Sequence, residues 1–145
     1  MTAAIYGINV WRLSKTLESC LSKALAPISR AYGITEAQAH LLFSLHKNSE
    51  STVGSLAERL GVAKTNASSM CKKLALMGFI KRIRKKDDER VVSLTLTERG
   101  RAAAKAIESR IEKIYRRKSL DLRKVDEMMR SFEEISKLLT EEEDI

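Results

Sequence analysis

Two cysteines and two histidines are the residues of this sequence most typical of transition-metal sites, and a cysteine can also react with an oxidant. Cys20 and Cys71 lie far apart and form no CxxC pair, so neither a zinc finger nor a disulfide framework is indicated. His40 and His46 are six residues apart, a spacing that does not bring both rings to one face of a helix. We therefore expect no metal centre and no cofactor.

The surroundings of the cysteines also argue against redox chemistry. A sensor thiol needs a lowered pKa and access to the oxidant. Cys20 lies beside Leu17 and Leu21 on an apolar stripe, and Cys71 lies on the apolar face of another predicted helix. We expect both thiols to pack in the core. The lack of a disulfide pattern is typical of a protein of the reducing cytoplasm.

Enzymatic chemistry finds little support in the other residues. The sequence contains no glycine-rich loop that could cradle phosphates, no set of metal ligands and no nucleophile beside a general base. The longest apolar run, from Leu74 to Ile80, is seven residues long and too short to span a bilayer. We expect neither an enzyme nor a membrane protein.

The distribution of charge indicates a partner. The 145 residues include 27 Lys and Arg against 19 Asp and Glu, a net charge of +8. Residues 51–100 carry 11 basic and 5 acidic side chains, whereas residues 101–145 carry 11 of each. A basic excess concentrated in one segment favours a polyanion, and nucleic acid is the simplest one. The binding surface is therefore expected in the middle third of the chain.

The densest basic run lies between two segments that are typical of strands. Residues 79–83 and 91–96 are rich in β-branched side chains, and the charged residues 84–90 between them predict the tip of a β-hairpin. Ahead of the hairpin, apolar spacing predicts helices over 54–60 and 64–77, joined by a tight glycine turn. A helix-turn-helix followed by a basic hairpin is a winged helix. The predicted fold class is mainly α with a small β-hairpin wing.

Longer helices are predicted on both sides of this domain. Apolar residues at spacings of three and four indicate helices over about 4–31, from the Thr97 cap to about 118, and from about 120 to 139. A capping box from Thr35 to Gln38 begins the helix that leads into the winged helix. A central domain cannot cover all these apolar stripes, so we expect a two-fold homodimer whose chain ends interleave. The alternative is packing of the end helices on their own domain.

These patterns divide the chain into three parts. Residues 1–34 are predicted to form an N-terminal dimerisation helix, residues 35–100 a winged helix-turn-helix DNA-binding domain, and residues 101–145 the C-terminal dimerisation helices. A two-fold dimer would place two recognition helices about one turn of DNA apart. The expected partner is therefore double-stranded DNA that carries a palindromic operator.

Two motifs resemble those of the multiple-antibiotic-resistance regulator (MarR) family. Residues 52–64, TVGSLAERLGVAK, resemble its helix-turn-helix, and Asp88-Glu89-Arg90 followed by residues 96–100, LTERG, resembles its wing and the start of its next helix. The resemblance implies a dimeric transcription factor, usually a repressor, with its recognition helix in the major groove and its wing in the minor groove. It also implies release from DNA by a small molecule, a metal or an oxidant.

The polar side chains of the predicted recognition helix point away from its apolar face. They are Lys64, Thr65, Asn66, Ser68, Ser69 and Lys73. Short hydroxyls and an amide can hydrogen-bond base edges or phosphates, and Asn66 can form two hydrogen bonds with adenine. Members of the resembled family often have an arginine at the position of Ser69. The alternative for each residue is a helix cap or a solvated polar face.

In the predicted wing, Arg90 matches the tip arginine of the resembled family and Asp88 matches its carboxylate partner. A guanidinium suits a narrow, negative minor groove, and a nearby carboxylate can hold it in position. The other basic side chains of the wing are expected to contact phosphates: Lys81, Arg82, Arg84, Lys85 and Lys86. The alternative for these residues is a solvated hairpin surface.

The sequence thus predicts a dimeric, sequence-specific DNA-binding repressor, released by a small molecule or another signal; any small-molecule effector is of unknown identity. A non-specific architectural or RNA-binding protein is the first alternative, favoured by Ser69 and the basic wing. The affinity ratio between operator and random duplex separates the two. An adaptor that binds only proteins is the second alternative. Several aromatic residues could line an effector pocket, although such residues more often belong to a core: Tyr6, Trp11, Phe43 and Tyr115.

Overall fold

A computed structural model of the chain describes residues 2–84, 86–88 and 90–140. In these parts the elements follow in the order α1 (Ala3–Tyr32), α2 (Glu36–Asn48), β1 (Ser51–Thr52), α3 (Val53–Leu60), α4 (Lys64–Leu76), β2 (Ile80–Arg84), β3 (Val92–Leu96), α5 (Glu98–Arg117) and α6 (Leu122–Thr140). The chain divides into two compact units, residues 1–111 and residues 112–145. The predicted fold class, mainly α with a small β wing, is confirmed.

Helix α1 continues through Pro27, and Leu25 is the single buried residue along its length. The apolar stripe ahead of Leu25 is exposed within the first unit, and it consists of Leu13, Leu17 and Leu21. Cys20 is exposed as well. The expectation that Cys20 packs in the core is therefore wrong, because the core of the first unit covers α1 only around Leu25.

The core of the first unit is built around α2. The predicted capping box is confirmed, since the Thr35 hydroxyl accepts the backbone N–H of Gln38 over 3.2 Å and the Gln38 side chain accepts the backbone N–H of Thr35 over 2.9 Å. This cap satisfies two amides that would otherwise lack a partner at the start of α2. Leucines of α2 pack against buried residues of α3, α4, β3 and α5, namely Leu41, Leu42, Leu45, Leu56, Leu74, Leu94 and Ile107.

The three strands form one antiparallel sheet in the order β1-β3-β2. The predicted hairpin is confirmed, with Ile80 opposite Leu96 and Arg84 opposite Val92. The third strand, β1, lies directly ahead of α3 and places Thr52 opposite Ser93. Strand β1 is not predictable from the sequence, because a strand of two residues is too short to show an alternating pattern.

The end of α4 and the start of α5 are held together by residues 97–100, which belong to the LTERG motif that follows the wing. Thr97 caps α5, since its hydroxyl accepts the N–H of Gly100 over 3.1 Å and donates to the carbonyl of Gly78 over 2.6 Å. A Cβ atom at Gly100 would overlap the carbonyl oxygen of Phe79, so the close approach requires a glycine. The Arg99 guanidinium lies over the Phe79 ring, 4.4 Å from its centroid. These contacts explain the Thr-Glu-Arg-Gly spacing.

The second unit contains the end of α5 and helix α6. No described residue of α6 is buried. Its exposed apolar residues recur at helical spacing and include Met128, Met129, Ile135, Leu138 and Leu139. Across the described residues, no helix has both the length and the apolar character that crossing a membrane requires.

Candidate nucleic-acid interface

Helix α4 presents a polar face opposite a buried apolar one. Ala67, Cys71 and Leu74 are buried in the core, because residues three and four apart lie on one side of a helix. The polar residues singled out by the sequence lie on the other side. Lys64, Thr65, Asn66, Ser69 and Lys73 are exposed, and Ser68 is half-buried. The structure therefore brings this predicted set to one face of one helix.

The N-terminus of α4 is open to a ligand. Its N-cap is Ala63, which has no side-chain acceptor for the first backbone amides of the helix. In contrast, α2 and α3 both begin with a capping box. Uncapped amides at a helix N-terminus, together with the helix dipole, favour an anion such as a phosphate. Lys64, the first residue of α4, adds a full positive charge at this end.

The angle between α3 and α4 is set by a tight turn. Gly61 has a left-handed backbone (φ 63°), which a residue with a Cβ atom adopts with strain. The N–H of Gly61 donates to the carbonyl of Glu58 over 3.2 Å, and that of Val62 donates to the carbonyl of Ala57 over 3.1 Å. These bonds end α3 and direct the chain into α4.

The two faces of strand β2 carry different basic residues. Successive side chains of a strand point to opposite faces, so Arg82 and Arg84 share the face of the buried Ile80. Lys81 points to the opposite face, where it lines a separate depression with Thr95 and Arg99. The structure therefore does not bring Lys81 together with the other basic residues of the wing.

The wing tip is organised by Asp88. Its carboxylate accepts the backbone N–H of Arg90 over 3.0 Å, and its carbonyl accepts the N–H of Val91 over 3.0 Å. Asp88 was expected to hold the Arg90 side chain, whereas its hydrogen bond fixes the Arg90 backbone. Lys86, Asp88 and Arg90 are exposed, and Lys85 lies outside the described residues.

Helix α4 and the wing meet at a cleft of about 350 Å³. Lys64 and Ser68 contribute from α4, and Arg82, Arg90 and Val92 contribute from the wing. Its remaining walls come from Thr52, Val53 and Gly54 at the start of α3, and from Val91. The described lining thus contains three cationic side chains and no carboxylate, and we call it the basic cleft. Such a site attracts an anion such as a phosphate group.

Residues at the start of α3 were not among the sequence candidates. Thr52 lines the basic cleft and also caps α3, since its hydroxyl accepts the N–H of Ser55 over 3.1 Å. The Ser55 hydroxyl in turn accepts the N–H of Thr52 over 3.1 Å. The Thr-x-x-Ser spacing was the sequence signal that could have found Thr52, because it is typical of a helix start.

The cysteines and histidines have no arrangement for metal chemistry in the described part of the chain, where no three potential ligands cluster. Cys71 is buried as predicted, and burial raises the pKa of its thiol, with the nearby Arg82 acting weakly in the opposite direction. His40 is exposed, whereas the His46 ring lies 3.3 Å from the Glu108 carboxylate.

A second cavity, of about 370 Å³, lies within the first unit and is mainly apolar. It is lined by residues of α1, α2, α3 and α5, including Leu21, Leu25, Phe43, Lys47, Arg59, Ile107 and Ile111. Lys47 donates to Glu108, and this hydrogen bond lowers the pKa of the Glu108 carboxyl. The Lys47 ammonium also lies 5.5 Å from the centroid of the Phe43 ring. We call this the apolar cavity. Of the aromatic residues that could line an effector pocket, Phe43 lines this cavity, whereas Tyr6 and Trp11 are exposed.

Comparison with known sequences links the site to one family. The sequence profile of the MarR family matches residues 34–92, a segment that includes α2, the helix-turn-helix and strand β2. None of the curated proteins matches this sequence.

Solved structures share the fold of almost the entire chain. Reduced AbfR bound to DNA has a TM-score of 0.77 and 21% identity, covering 96% of this chain and 98% of its own. A cysteine-to-serine mutant of E. coli MarR in complex with operator DNA has a TM-score of 0.73 and 20% identity, covering 93% and 99%. NadR in complex with 4-hydroxyphenylacetate has a TM-score of 0.69 and 20% identity, covering 93% and 94%.

Proposed function

We propose that this chain, whose residues 34–92 match the profile of the MarR family, is a winged helix regulator of that family and acts as a dimeric, sequence-specific DNA-binding repressor that a small molecule or another signal releases. The likeness to a family of regulators supports the expectation that the chain is not an enzyme. The structures of AbfR and E. coli MarR that share its fold contain DNA.

The basic cleft is the observation that carries the proposal. Lys64 at the start of α4 and Arg82 in the wing face the same space, together with Arg90. In the complex, α4 lies in the major groove, where Asn66 and the serines contact base edges. Arg90 enters the adjacent minor groove, and Arg82 and the uncapped amides of α4 contact phosphates.

Dimerisation is supported by two apolar stripes that the single chain leaves exposed. Leu13, Leu17 and Leu21 form the stripe on α1, and Met129, Leu138 and Leu139 belong to the stripe on α6. Stripes of this length bury their apolar surface against another helix, and a two-fold homodimer does so with identical chains. We assign residues 1–34 and 101–145 to dimerisation and residues 35–100 to DNA binding. Two-fold symmetry then requires a palindromic operator.

The apolar cavity is the candidate effector site. Leucine, isoleucine and phenylalanine side chains make up most of its lining. The rest consists of the polar residues His40, Ser44 and Asn48 and the cations Lys47 and Arg59. This combination suits a small apolar anion, and the solved complex of NadR contains 4-hydroxyphenylacetate. An effector of this class releases the operator. A Ser44→Trp substitution, at a half-buried residue that lines the cavity, fills part of it and abolishes that response while leaving DNA binding intact.

The proposal is tested by selecting bound duplexes from a pool of random DNA at two salt concentrations. We expect one enriched palindromic motif with half-sites about 10 base pairs apart, because two recognition helices of a dimer read one face of the duplex. Enrichment of no motif, with steeply salt-dependent binding, would identify a non-specific architectural protein instead. Failure to bind any duplex would leave an adaptor and overturn the proposal.

The architectural alternative is favoured by one observation. Ser69 is exposed on the face of α4 that meets DNA, and its short side chain reaches less far toward a base edge than an arginine would. A Ser69→Arg variant distinguishes the two functions. In a sequence-specific regulator it changes the selected motif at one base pair of each half-site, whereas in an architectural protein it raises affinity for all duplexes alike.

A further inference from the structure

The wing is joined to the segment ahead of the helix-turn-helix by a hydrogen bond from a buried serine. Ser93 lies on β3, where 3% of its surface is exposed, and its hydroxyl donates to the carboxylate of Glu50. A buried hydroxyl without a partner is costly, and a hydrogen bond to a carboxylate is stronger than one between neutral groups. Glu50 therefore holds β3 at this point.

The residues that follow Glu50 connect this bond to the DNA-binding helices. Ser51 and Thr52 form β1, in which Thr52 lies opposite Ser93. Thr52 also caps α3 and lines the basic cleft. The three residues 50–52, which we call the connecting segment, thus contact the wing on one side and begin the helix-turn-helix on the other.

A second buried serine fixes the same segment from the side of α3. Ser51 is 6% exposed, and its hydroxyl accepts a hydrogen bond from the guanidinium of Arg59 over 2.5 Å. Arg59 lies near the end of α3, so this bond ties the segment to the helix that packs against α4. The base of the wing and the recognition helix are therefore held in one arrangement.

That arrangement sets how far Arg90 stands from α4. Helix α4 reads the major groove, and the wing arginine enters the adjacent minor groove of the same duplex. Both contacts form together only if the distance between α4 and the wing matches the spacing of the two grooves. We infer that Glu50 and Ser93 are positioning residues, which hold the wing so that Arg90 enters the minor groove while α4 occupies the major groove. This inference rests on the proposed function.

The test is a double-mutant cycle on the selected operator. We expect Ser93→Ala to weaken operator binding by about tenfold, the effect of one lost charge-assisted hydrogen bond. In an Arg90→Ala background the same substitution has almost no further effect, because the contact that it positions is already missing. Footprints support the inference if the Ser93→Ala protein loses protection in the minor groove and keeps it in the major groove.

Control variants separate positioning from loss of stability. Glu50→Gln keeps an oxygen that accepts from Ser93 but loses the charge, so its loss of affinity is smaller than that of Glu50→Ala, which is at least as large as that of Ser93→Ala. Glu50 is exposed, so Glu50→Ala keeps the test available if Ser93→Ala fails to fold. Equal losses with and without Arg90, or wild-type affinity of Ser93→Ala, would overturn the inference. Absence of any selective binding by the wild type would overturn the proposed function instead.

Discussion

The carboxylate of Asp88 accepts the backbone N–H of Arg90 over 3.0 Å, two residues further along the wing. An aspartate that bonds the backbone two residues ahead forms an Asx turn, which fixes the path of the chain rather than a distant side chain. Asp88 therefore determines where the Cα atom of Arg90 stands, and the guanidinium extends from that fixed point.

This relationship predicts unequal effects of the two residues on operator binding. Arg90→Ala removes the charge that enters the minor groove, and we expect a loss of affinity of about tenfold to a hundredfold. Asp88→Ala loosens the turn and costs less. Asp88→Asn keeps a side-chain oxygen that accepts the same N–H, so it binds as the wild type does. Fluorescence anisotropy measures all three, and an Asp88→Asn loss as large as that of Arg90→Ala would contradict the backbone role.

The proposed dimer predicts that charge on the α1 stripe separates the subunits. Leu17, which is 43% exposed in the single chain, would be buried against the partner, so Leu17→Glu should leave a monomer of 16.3 kDa. Leu76 is 90% exposed at the end of α4, outside the proposed interface, and Leu76→Glu is the matched control that remains dimeric. Light scattering after size-exclusion chromatography measures both masses. A dimeric Leu17→Glu protein would exclude this part of α1 from the interface.

The junction between α4 and α5 predicts a stability effect at one glycine. An alanine at Gly100 would overlap the carbonyl of Phe79, and relieving that overlap must shift α5 away from β2. We expect Gly100→Ala to lower the free energy of unfolding by about 1–3 kcal/mol. Gly54 is the control, because the nearest atom to its added Cβ is Thr52 Oγ1 at 3.9 Å. Denaturant titration should find Gly54→Ala no less stable than the wild type, and equal stability of Gly100→Ala would contradict the close approach.

The ion pair between Lys47 and Glu108 predicts a pH dependence of stability. The hydrogen bond from Lys47 lowers the pKa of Glu108 below its ordinary value of 4.5. A carboxyl whose pKa is lowered by folding contributes stability above its unfolded pKa and loses it as the pH falls through the folded value. In Glu108→Gln, the free energy of unfolding should therefore fall less steeply than in the wild type as the pH drops below about 4.5. A Glu108→Gln profile identical to that of the wild type would contradict the prediction.

The parts of this fold that local chemistry specifies could be predicted from the sequence. The Thr35–Gln38 capping box and the Gly61 turn depend on residues within four positions of each other, and both lie where the pattern indicated. Strand β1 could not be predicted, since its two residues pair with β3 some 40 positions away. The exposure of Cys20 could not be predicted either. Whether the apolar stripe of α1 is covered depends on how far the elements packed against that helix extend.

In the candidate site, too, local features could be predicted and features set by tertiary structure could not. The polar face of α4 follows from helical periodicity, which requires no knowledge of other elements. The meeting of Lys64 with Arg82 does not, because it depends on how the wing folds back over the start of α4. The contribution of Thr52 to the basic cleft and the bond between Ser93 and Glu50 are likewise set by tertiary structure.

Hydroxyl-radical footprinting on the selected operator tests the central claim most directly. A dimer that reads DNA with two α4 helices predicts two symmetric protected regions with centres about one helical turn, or 10 base pairs, apart. Protection of the minor groove should disappear in the Arg90→Ala protein while the rest of the pattern persists. A continuous footprint without two separate protected regions, and with equal protection of operator and random duplex, would contradict sequence-specific recognition by a dimer.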